Sequence, residues 1–399
     1  MRILLVAYFY EAPAGGGIIV ARLLREQLQA RGHTVDVLCL EGLPEQQAGT
    51  VWRLRPPMWA SINLNRFRQV LLFFNNRLLD AFFLRQTESF HLENQEYDFV
   101  LGQDPLTLRL VQQLAELLRI PCGTTLHDTL PQQVHVGIPQ RGVRFMVRNL
   151  MRWRDQSLRK NLARMDWLAS ISRHVGASAK RWMGPECPPV PLVSNPAPAD
   201  FAHTPTRKTE GAFRFLFVGR LSPEKGIDLL LEAFQQLHGN YQLTIVGLAG
   251  SLSKKVRNLA LSDPRVELKF ALPHSSMPEV YAAHHAVCCP VMWDEPFGLT
   301  VLEGRMAQCV VLGTNRGGLP EILEGYSRSI LFGSPEASRD VIRKLLLTAM
   351  TEAPLKLQLP INTAQENEFL SRFQVSNVVT HYEQLIHLSV TGSLSKTAK

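Results

Sequence analysis

Long apolar runs are missing from this 399-residue sequence: none reaches the 18 residues that a membrane-spanning helix needs, so no such helix is predicted. The amino-terminal stretch MRILLVAYFY is apolar but short, carries one basic residue at its start, and is followed by Glu11 and Pro13. A signal peptide would be more basic at its start and would end in small residues, so we interpret this stretch as a buried first strand.

Cysteine is scarce as well. The six cysteines include no C-x-x-C pair, and no cluster of histidines accompanies them. This disfavours a disulfide framework or a zinc site and is typical of reduced, mostly buried thiols in a cytoplasmic protein.

Two motifs that would indicate a metal or a dinucleotide cofactor are absent. There is no Asp-x-Asp motif, so no metal site is predicted. No G-x-G-x-x-G fingerprint follows the first strand, and no acidic residue stands where that fingerprint requires one after the second strand. We therefore expect no cofactor.

Charge is plentiful but uneven, with a net charge of +8. Residues 1–200 contain 23 Lys and Arg against 17 Asp and Glu, a net of +6, which leaves 20 against 18, or +2, for the remaining residues. A basic first half favours an anionic partner such as a phosphorylated substrate, a membrane surface or nucleic acid.

Strand-like and helix-like stretches alternate along the chain, which predicts βαβ units with a parallel sheet covered by helices. The strand-like stretches of the first half are RILLVAYFY, TVDVLCL, YDFVLGQ, PCGTTLHD and DWLASIS, and those of the second half are FRFLFVGRL, YQLTIVG, RVELKFA, HAVCCPVM and CVVLGT. The polar stretch PADFAHTPTRKTE, residues 198–210, separates the two sets and is interpreted as a linker.

The predicted architecture is therefore α/β, with two Rossmann-like, doubly wound domains, because a chain of this length exceeds one core. The predicted segments are residues 1–200 and 211–365 as the two domains, 366–390 as a helical region that packs back toward the first domain, and 391–399 as a disordered tail.

The stretch WDEPFGLTVLEG places Glu295 and Glu303 on either side of Pro296-Phe297-Gly298. Proline and glycine predict a turn, and LTVLEGRMAQ predicts the helix that follows it. A helix N-terminus suits a phosphate, and carboxylates beside it would accept hydrogen bonds from sugar hydroxyls. The alternative for an isolated pair is an ordinary acidic first turn and a solvated loop glutamate.

Three further candidates follow predicted strands, where ligands bind in this type of fold. Glycines at 15–17 precede a helix and would let backbone N–H groups approach a phosphate or sugar, although a tight turn explains them equally well. Arg220 and Lys225, in VGRLSPEKG, could grip a diphosphate or be solvated cations. His127, in TTLHDT, ends a strand and is either a ligand contact or a structural histidine.

In this order, these motifs resemble the retaining glycosyltransferases of the GT-B fold, in the large family four. The matching segments are the glycine loop at 15–17, His127-Asp128, VGRLSPEKG, EPFGLTVLE and NRGGLPEI, and the resemblance covers nearly the whole chain. It implies two Rossmann-like domains that face a central cleft, a nucleotide-sugar as substrate, with UDP or GDP favoured as the carrier, and no metal.

The resemblance also implies a role for each candidate. Glu295 and His127 would be the catalytic residues, on opposite sides of the donor sugar. Lys225 and Arg220 would hold the diphosphate and stabilise the negative charge that develops on it as it leaves. Glu303 would bind the ribose. The other implied donor-binding residues are Gly16, Gly17, Phe297, Gly298 and Leu299.

The sequence departs from the family pattern just after this motif. Arg305 stands where a small residue is usual, and Gln308-Cys309-Val310 replaces the usual Gly-x-Pro. Both departures lie beyond the implied donor contacts, so we expect altered packing of the helix and the next strand, with altered base selection as the alternative.

The first domain would choose the acceptor, and two of its segments are rich in cations and aromatic residues. Residues 139–164 carry eight Lys and Arg against Asp155, spaced as a basic amphipathic helix, and residues 52–86 mix Trp, Phe and Arg. Such segments suit an anionic membrane surface, which favours a peripheral enzyme that acts on a lipid-linked or cell-surface glycan. The alternatives are apolar faces packed in the core and a small soluble acceptor.

Two other classes of function stay open at this stage. A nucleotide-sugar epimerase would share the fold but need no acceptor, and the Glu-x7-Glu pair disfavours it. A nucleic-acid-binding protein would explain the cations but not the two glutamates or the glycine loops, and no nucleic-acid module is evident, so no nucleic-acid partner is expected.

Overall fold

The computed structural model describes residues 1–8, 10, 16–40, 51–55, 77–88, 90–103, 107–130, 155–197, 201, 211–270 and 272–393. Two compact units divide the chain: residues 1–195 together with 376–399 form unit 1, and residues 196–375 form unit 2. The chain therefore leaves unit 1 once and returns to it near its end.

Unit 1 is built on a six-stranded sheet in which every neighbouring pair is parallel. Its strands are β1 (Arg2–Val6), β2 (Thr34–Leu40), β3 (Val51–Leu54), β4 (Phe99–Gly102), β5 (Cys122–Leu126) and β6 (Trp167–Ser170). The order across the sheet is β3-β2-β1-β4-β5-β6, so the strand order reverses between β1 and β4. All residues of β4, β5 and β6 are buried, as expected for parallel strands covered on both faces.

The helices of unit 1 connect these strands and cover the sheet. They include α1 (Gly16–Ala30), α2 (Arg77–Glu88), α3 (Leu108–Leu118) and α4 (Arg173–Met183), and residues 155–162 are helical as well. In α3, buried apolar residues recur at the three- and four-residue spacing of one helix face, so this face packs on the sheet.

Unit 2 repeats the same plan with a second parallel sheet. Its strands are β7 (Phe213–Arg220), β8 (Tyr241–Leu248), β9 (Val266–Phe270), β10 (Ala286–Cys289), β11 (Val310–Thr314) and β12 (Ser329–Phe332). Their order is β12-β11-β10-β7-β8-β9, which reverses between β10 and β7. Both sheets thus have the strand order of a Rossmann-type doubly wound fold, and the predicted pair of α/β domains is confirmed.

The helices of unit 2 are α5 (Ile227–Gln235), α6 (Ser253–Ser262), α7 (Met277–Ala282), α8 (Leu299–Met306), α9 (Leu319–Leu323), α10 (Arg339–Leu357) and α11 (Thr363–Ser371). Helix α10 buries Ile342, Leu346, Ala349 and Met350 along one face. That face packs with Phe215 and other strand residues in a single apolar core.

The last helix, α12 (Val375–Val390), packs on unit 1. It buries Val378, Val379, Tyr382 and Ile386, and the hydroxyl of its Ser389 accepts a hydrogen bond of 3.1 Å from the Trp167 indole in β6. The carboxyl-terminal helix is therefore a structural part of the first unit.

Several elements differ from the sequence expectations. The edge strands β3 and β12 and helix α6 were not predicted, and the predicted helical region at 366–390 is two helices with a break before Val375. The unit boundaries fall at 195 and 375, where the sequence suggested 200 and 366. Apart from Phe201, the proposed linker at 198–210 lies outside the described residues, as do residues 394–399 of the proposed tail.

No helix in the described ranges is long and apolar enough to cross a membrane. All six cysteines are free thiols, and five of them are buried.

Candidate active site

An ion pair joins the carboxyl ends of β7 and β10, the two strands between which the order of the second sheet reverses. The Lys225 ammonium, in the turn after β7, donates a 2.6 Å hydrogen bond to Oε2 of Glu295, in the loop after β10. The Trp293 indole donates to the same oxygen at 2.8 Å, and the ammonium lies 5.2 Å from the centre of the Trp293 ring. This is the place where ligands bind in doubly wound sheets.

Glycines hold the backbone around this ion pair because no side chain would fit. Gly226 has φ 68°, and a Cβ there would lie 1.9 Å from the carbonyl oxygen of Pro290. Gly317 has φ 59°, and its Cβ would lie 2.2 Å from the carbonyl oxygen of Glu295, which accepts a 2.7 Å hydrogen bond from the Gly318 N–H. The close backbone approach predicted for NRGGLPEIL is therefore made to the Glu295 loop itself.

Glu303 is the other predicted carboxylate, and it lies in the second turn of α8 with 6% of its surface exposed. The buried Tyr281 hydroxyl donates to its Oε2 at 2.6 Å, and the half-exposed His274 ring approaches its Oε1 at 3.2 Å. Burial and the adjacent Glu303 carboxylate raise the pKa of Tyr281, so the phenol remains a hydrogen-bond donor. Glu303 is not the free first-turn charge of the alternative interpretation.

The two carboxylates and the lysine lie around the end of one buried strand. Burial raises the pKa of the Cys289 thiol, at the end of β10, to about 12, with opposing electrostatic contributions from Lys225 and from Glu295 and Glu303. Lys225, Glu295 and Glu303, three of the predicted residues, therefore all lie near the end of β10, where the Cys289 thiol is neutral.

The turn between the two glutamates presents backbone rather than side chains. Phe297 is buried, and its ring lies 5.9 Å from that of Phe373. Gly298 has φ 98° and caps α8, whose first intrahelical bonds run from Val301 and Leu302 to the Gly298 carbonyl. The N–H groups at the start of a helix lack intrahelical partners, so this end of α8, from Leu299, can face an anion.

Arg220 is the predicted cation that the structure places elsewhere. Its guanidinium lies 3.5 Å from the Glu224 carboxylate, and both side chains are well exposed. In the structure, therefore, Lys225 contacts Glu295, whereas Arg220 contacts Glu224.

In unit 1, the start of α1 and the residues directly after β4 and β5 lie close together. His127 Nε2 lies 3.2 Å from Oε1 of Gln103, and a Cβ on Gly17 would lie 3.8 Å from the His127 ring. Gly16 is the first residue of α1. Burial lowers the pKa of His127 to about 4, so its imidazole is neutral near pH 7.

Sequence reasoning missed four polar residues at these places: Trp293, Tyr281, His274 and Gln103. Gln103 could have been found, because it follows β4 as His127 follows β5, and Trp293 lies within the quoted motif. No local sequence pattern indicates that Tyr281 or His274 belongs to the site, because their hydrogen-bond partner, Glu303, is distant in sequence.

The basic segment at 139–164 is described only from residue 155. There, Leu158, Leu162 and Met165 are buried, so the apolar face packs in the core. The neighbouring Arg159 and Lys160 are exposed, and the Arg159 guanidinium lies 4.7 Å from the centre of the Trp182 ring. Residues 56–76 of the other basic-aromatic segment lie outside the description.

Within the residues described, no three His, Cys, Asp or Glu side chains are grouped so that they could hold a metal ion.

Two family models match the sequence. Residues 14–200 match the family model described as Glycosyltransferase Family 4, and residues 199–358 match that described as Glycosyl transferases group 1. The two matches together run over most of the sequence. The chain is a glycosyltransferase of the group 1/family 4 type. An uncharacterized glycosyltransferase of Methanocaldococcus jannaschii is 33% identical over 123 residues, which are 30% of this chain and 34% of that protein. The chain thus spans about a third of the length of this curated relative.

Solved structures share the fold over nearly the full length. Sucrose-phosphate synthase from Thermosynechococcus elongatus superposes with a TM-score of 0.73 and 18% identity, and covers 98% of this chain and 100% of its own. The Anabaena protein HepE, in complex with UDP and glucose, gives a TM-score of 0.69 and 17% identity over 97% and 99% of the two chains. The fold is GT-B, as predicted.

Proposed function

We propose that this protein is a retaining glycosyltransferase that transfers a hexose from a nucleotide-diphosphate sugar, UDP- or GDP-linked, without a metal. The Lys225–Glu295 pair at the strand-order reversal of unit 2, with the start of α8 beside it, carries this proposal. Breaking the bond between sugar and phosphate builds negative charge on the leaving diphosphate, and a preplaced cation with helix N–H groups stabilises that charge as it forms.

Each residue of the site has a distinct task in the proposed reaction. Lys225 supplies the positive charge for the diphosphate, and Glu295 accepts hydrogen bonds from hydroxyls of the donor sugar. Glu303, supported by Tyr281, accepts hydrogen bonds from the ribose. His127, in unit 1, contributes a neutral imidazole, and the leaving phosphate assists deprotonation of the acceptor on the same face of the sugar, which retains the anomeric configuration.

A screen of UDP-, GDP- and ADP-linked hexoses for a rise in melting temperature, in EDTA and without added metal, tests the donor site. A ligand at about 100 times its Kd stabilises the native state by about 2.7 kcal/mol, which one matching nucleotide-sugar is expected to show. Lys225→Ala should lose the shift, while Glu224→Ala, at the exposed Arg220 pair, should keep it. No shift with any of these sugars in the wild type would contradict the proposed donor.

For the acceptor, we propose a lipid-linked or cell-surface glycan at the cytoplasmic face of a membrane. The exposed cations Arg159, next to Trp182, and Lys160 support this proposal, because cations and interfacial aromatics favour anionic lipid. Leu158 and Leu162 are buried and so cannot insert into a bilayer. The proposed membrane attachment at this place is therefore electrostatic.

Sedimentation with anionic liposomes at low salt checks this attachment. We expect the protein to pellet at low salt and to be released at high salt, and Arg159→Gln with Lys160→Gln to weaken binding about 30-fold, at about 1 kcal/mol per cation. Lys254→Gln with Lys255→Gln, two cations of α6 in unit 2, is the matched control. Protein that stays in the supernatant at low salt would favour a small soluble acceptor instead.

A further inference from the structure

A chain of buried hydrogen bonds leads from His127 to the carboxyl-terminal helix. His127 Nε2 lies 3.2 Å from the Gln103 side-chain oxygen, and the Gln103 amide nitrogen donates to the Thr125 hydroxyl at 2.8 Å. The Thr125 hydroxyl lies 2.8 Å from the hydroxyl of Tyr382, in α12. Gln103, Thr125 and Tyr382 are each at most 2% exposed, so water does not compete for these bonds.

The orientation of the Gln103 amide sets the tautomer of His127. The amide nitrogen faces Thr125 and the amide oxygen faces His127, and because that oxygen only accepts hydrogen bonds, His127 Nε2 carries the proton in this orientation. The Nδ1 atom then has a free lone pair and is an acceptor. Burial keeps the ring neutral, and the adjacent Asp128 carboxylate accepts a 2.7 Å bond from the Thr129 N–H in its own turn.

Gly17, at the start of α1, lies beside the His127 ring. A Cβ at this position would be in van der Waals contact with the ring, 3.8 Å from Cγ and 3.9 Å from Nδ1, so glycine adds no bulk there.

We propose that Gln103, anchored by Thr125 and by Tyr382 of the carboxyl-terminal helix, is a positioning residue that holds His127 as the Nε2–H tautomer with Nδ1 free to accept a hydrogen bond from a sugar hydroxyl. The identity of that hydroxyl rests on the proposed glycosyltransferase function. The tautomer does not, because it follows from protein groups alone. Release of Gln103 from Thr125 lets the amide turn over and donate to Nε2, which moves the histidine proton to Nδ1.

Two isosteric substitutions on one strand separate this role from simple packing. Thr125→Val removes the hydroxyl that bonds both Gln103 and Tyr382. Thr124→Val is the control, because the Thr124 hydroxyl is also buried and has no hydrogen-bond partner in the described structure. Tyr382→Phe is a second variant that removes the last hydroxyl while keeping the ring.

The measurement is the ¹⁵N NMR signature of the His127 ring in the full-length protein without ligand, with the signal identified from its loss in His127→Asn. We expect Nε2–H in the wild type and in Thr124→Val, and a gain of the Nδ1–H form in Thr125→Val and in Tyr382→Phe. Transfer activity should fall about 10- to 100-fold in kcat/KM in Thr125→Val, as when the outer partner of a functional histidine is lost, and should be kept in Thr124→Val.

An Nδ1–H ring in the wild type, or a tautomer that Thr125→Val and Tyr382→Phe leave unchanged, would overturn the inference. The nucleotide-sugar screen decides the proposed function separately, since the NMR signature requires no substrate.

Discussion

Glu295→Ala is expected to lower kcat for sugar transfer by a factor of about 100 to 1,000, the range for loss of one preorganised transition-state contact, while nucleotide binding persists. In the proposed reaction, the carboxylate holds the donor sugar, whereas the diphosphate is held by Lys225 and by the start of α8. Without Glu295, the Lys225 ammonium loses its partner at 2.6 Å and becomes fully available to the diphosphate. The checks are kcat with the matching donor and the Kd of the free nucleoside diphosphate by calorimetry.

Lys225→Ala provides the contrast, because it should weaken both transfer and nucleotide binding. It removes the cation and leaves the Glu295 carboxylate unpaired beside an incoming diphosphate, so the two negative charges repel. If Glu295→Ala keeps near-wild-type turnover, the assignment of this motif is wrong. If Lys225→Ala binds the nucleotide normally, the diphosphate lies elsewhere.

Arg305→Ala is expected to destabilise unit 2 by about 3–5 kcal/mol, the usual cost of leaving one charge of a buried ion pair without its partner. Arg305 is 1% exposed and forms two parallel 2.8 Å bonds with Glu366 of α11. It also donates to the Ile322 carbonyl at 2.6 Å, and its guanidinium stacks 3.5 Å from the centre of the Phe369 ring. Urea unfolding, and hydrogen exchange of α9 and α11, would measure the loss.

The double variant Arg305→Met with Glu366→Leu is the matched control for this prediction. A buried ion pair replaced by apolar side chains of similar volume is often neutral or stabilising, so the double variant should recover most of the loss. Equal destabilisation in the single and double variants would show that the carbonyl contacts and the ring stacking, rather than the ion pair, hold α9 and α11 to α8.

The same residue illustrates where prediction from the sequence ends. The departure from the family pattern at Arg305 was expected to alter packing, which stays a prediction. The structure pairs Arg305 with Glu366, and a partner about 60 positions away in sequence has no local signal. Gln308, where glycine is usual, adopts φ 54°, a left-handed conformation that glycine takes without steric cost. The effect of these departures on base selection stays a prediction.

The sheets were predictable because their central strands are short apolar runs between turn residues, and βαβ connectivity then dictates parallel pairing. Two of the four edge strands were missed: Val51–Leu54 and Ser329–Phe332 are four residues long and only partly buried, and their sequences carry no long apolar run. Lys225 and Glu295 were predictable as residues after strands. Their direct ion pair depends on strand order, which no residue pattern reveals.

The return of the chain to unit 1 has a consequence for synthesis on the ribosome. Unit 2 is one continuous segment, residues 196–375, whereas unit 1 needs α12, which is made after unit 2. A nascent chain that ends at residue 375 therefore carries all of unit 2. At that point Trp167 in β6 still lacks its partner Ser389, and Thr125 in β5 still lacks its partner Tyr382. Unit 1 begins first but can be completed only after unit 2 has been made. Folding during synthesis is therefore not expected to follow the usual order, in which the amino-terminal domain folds first.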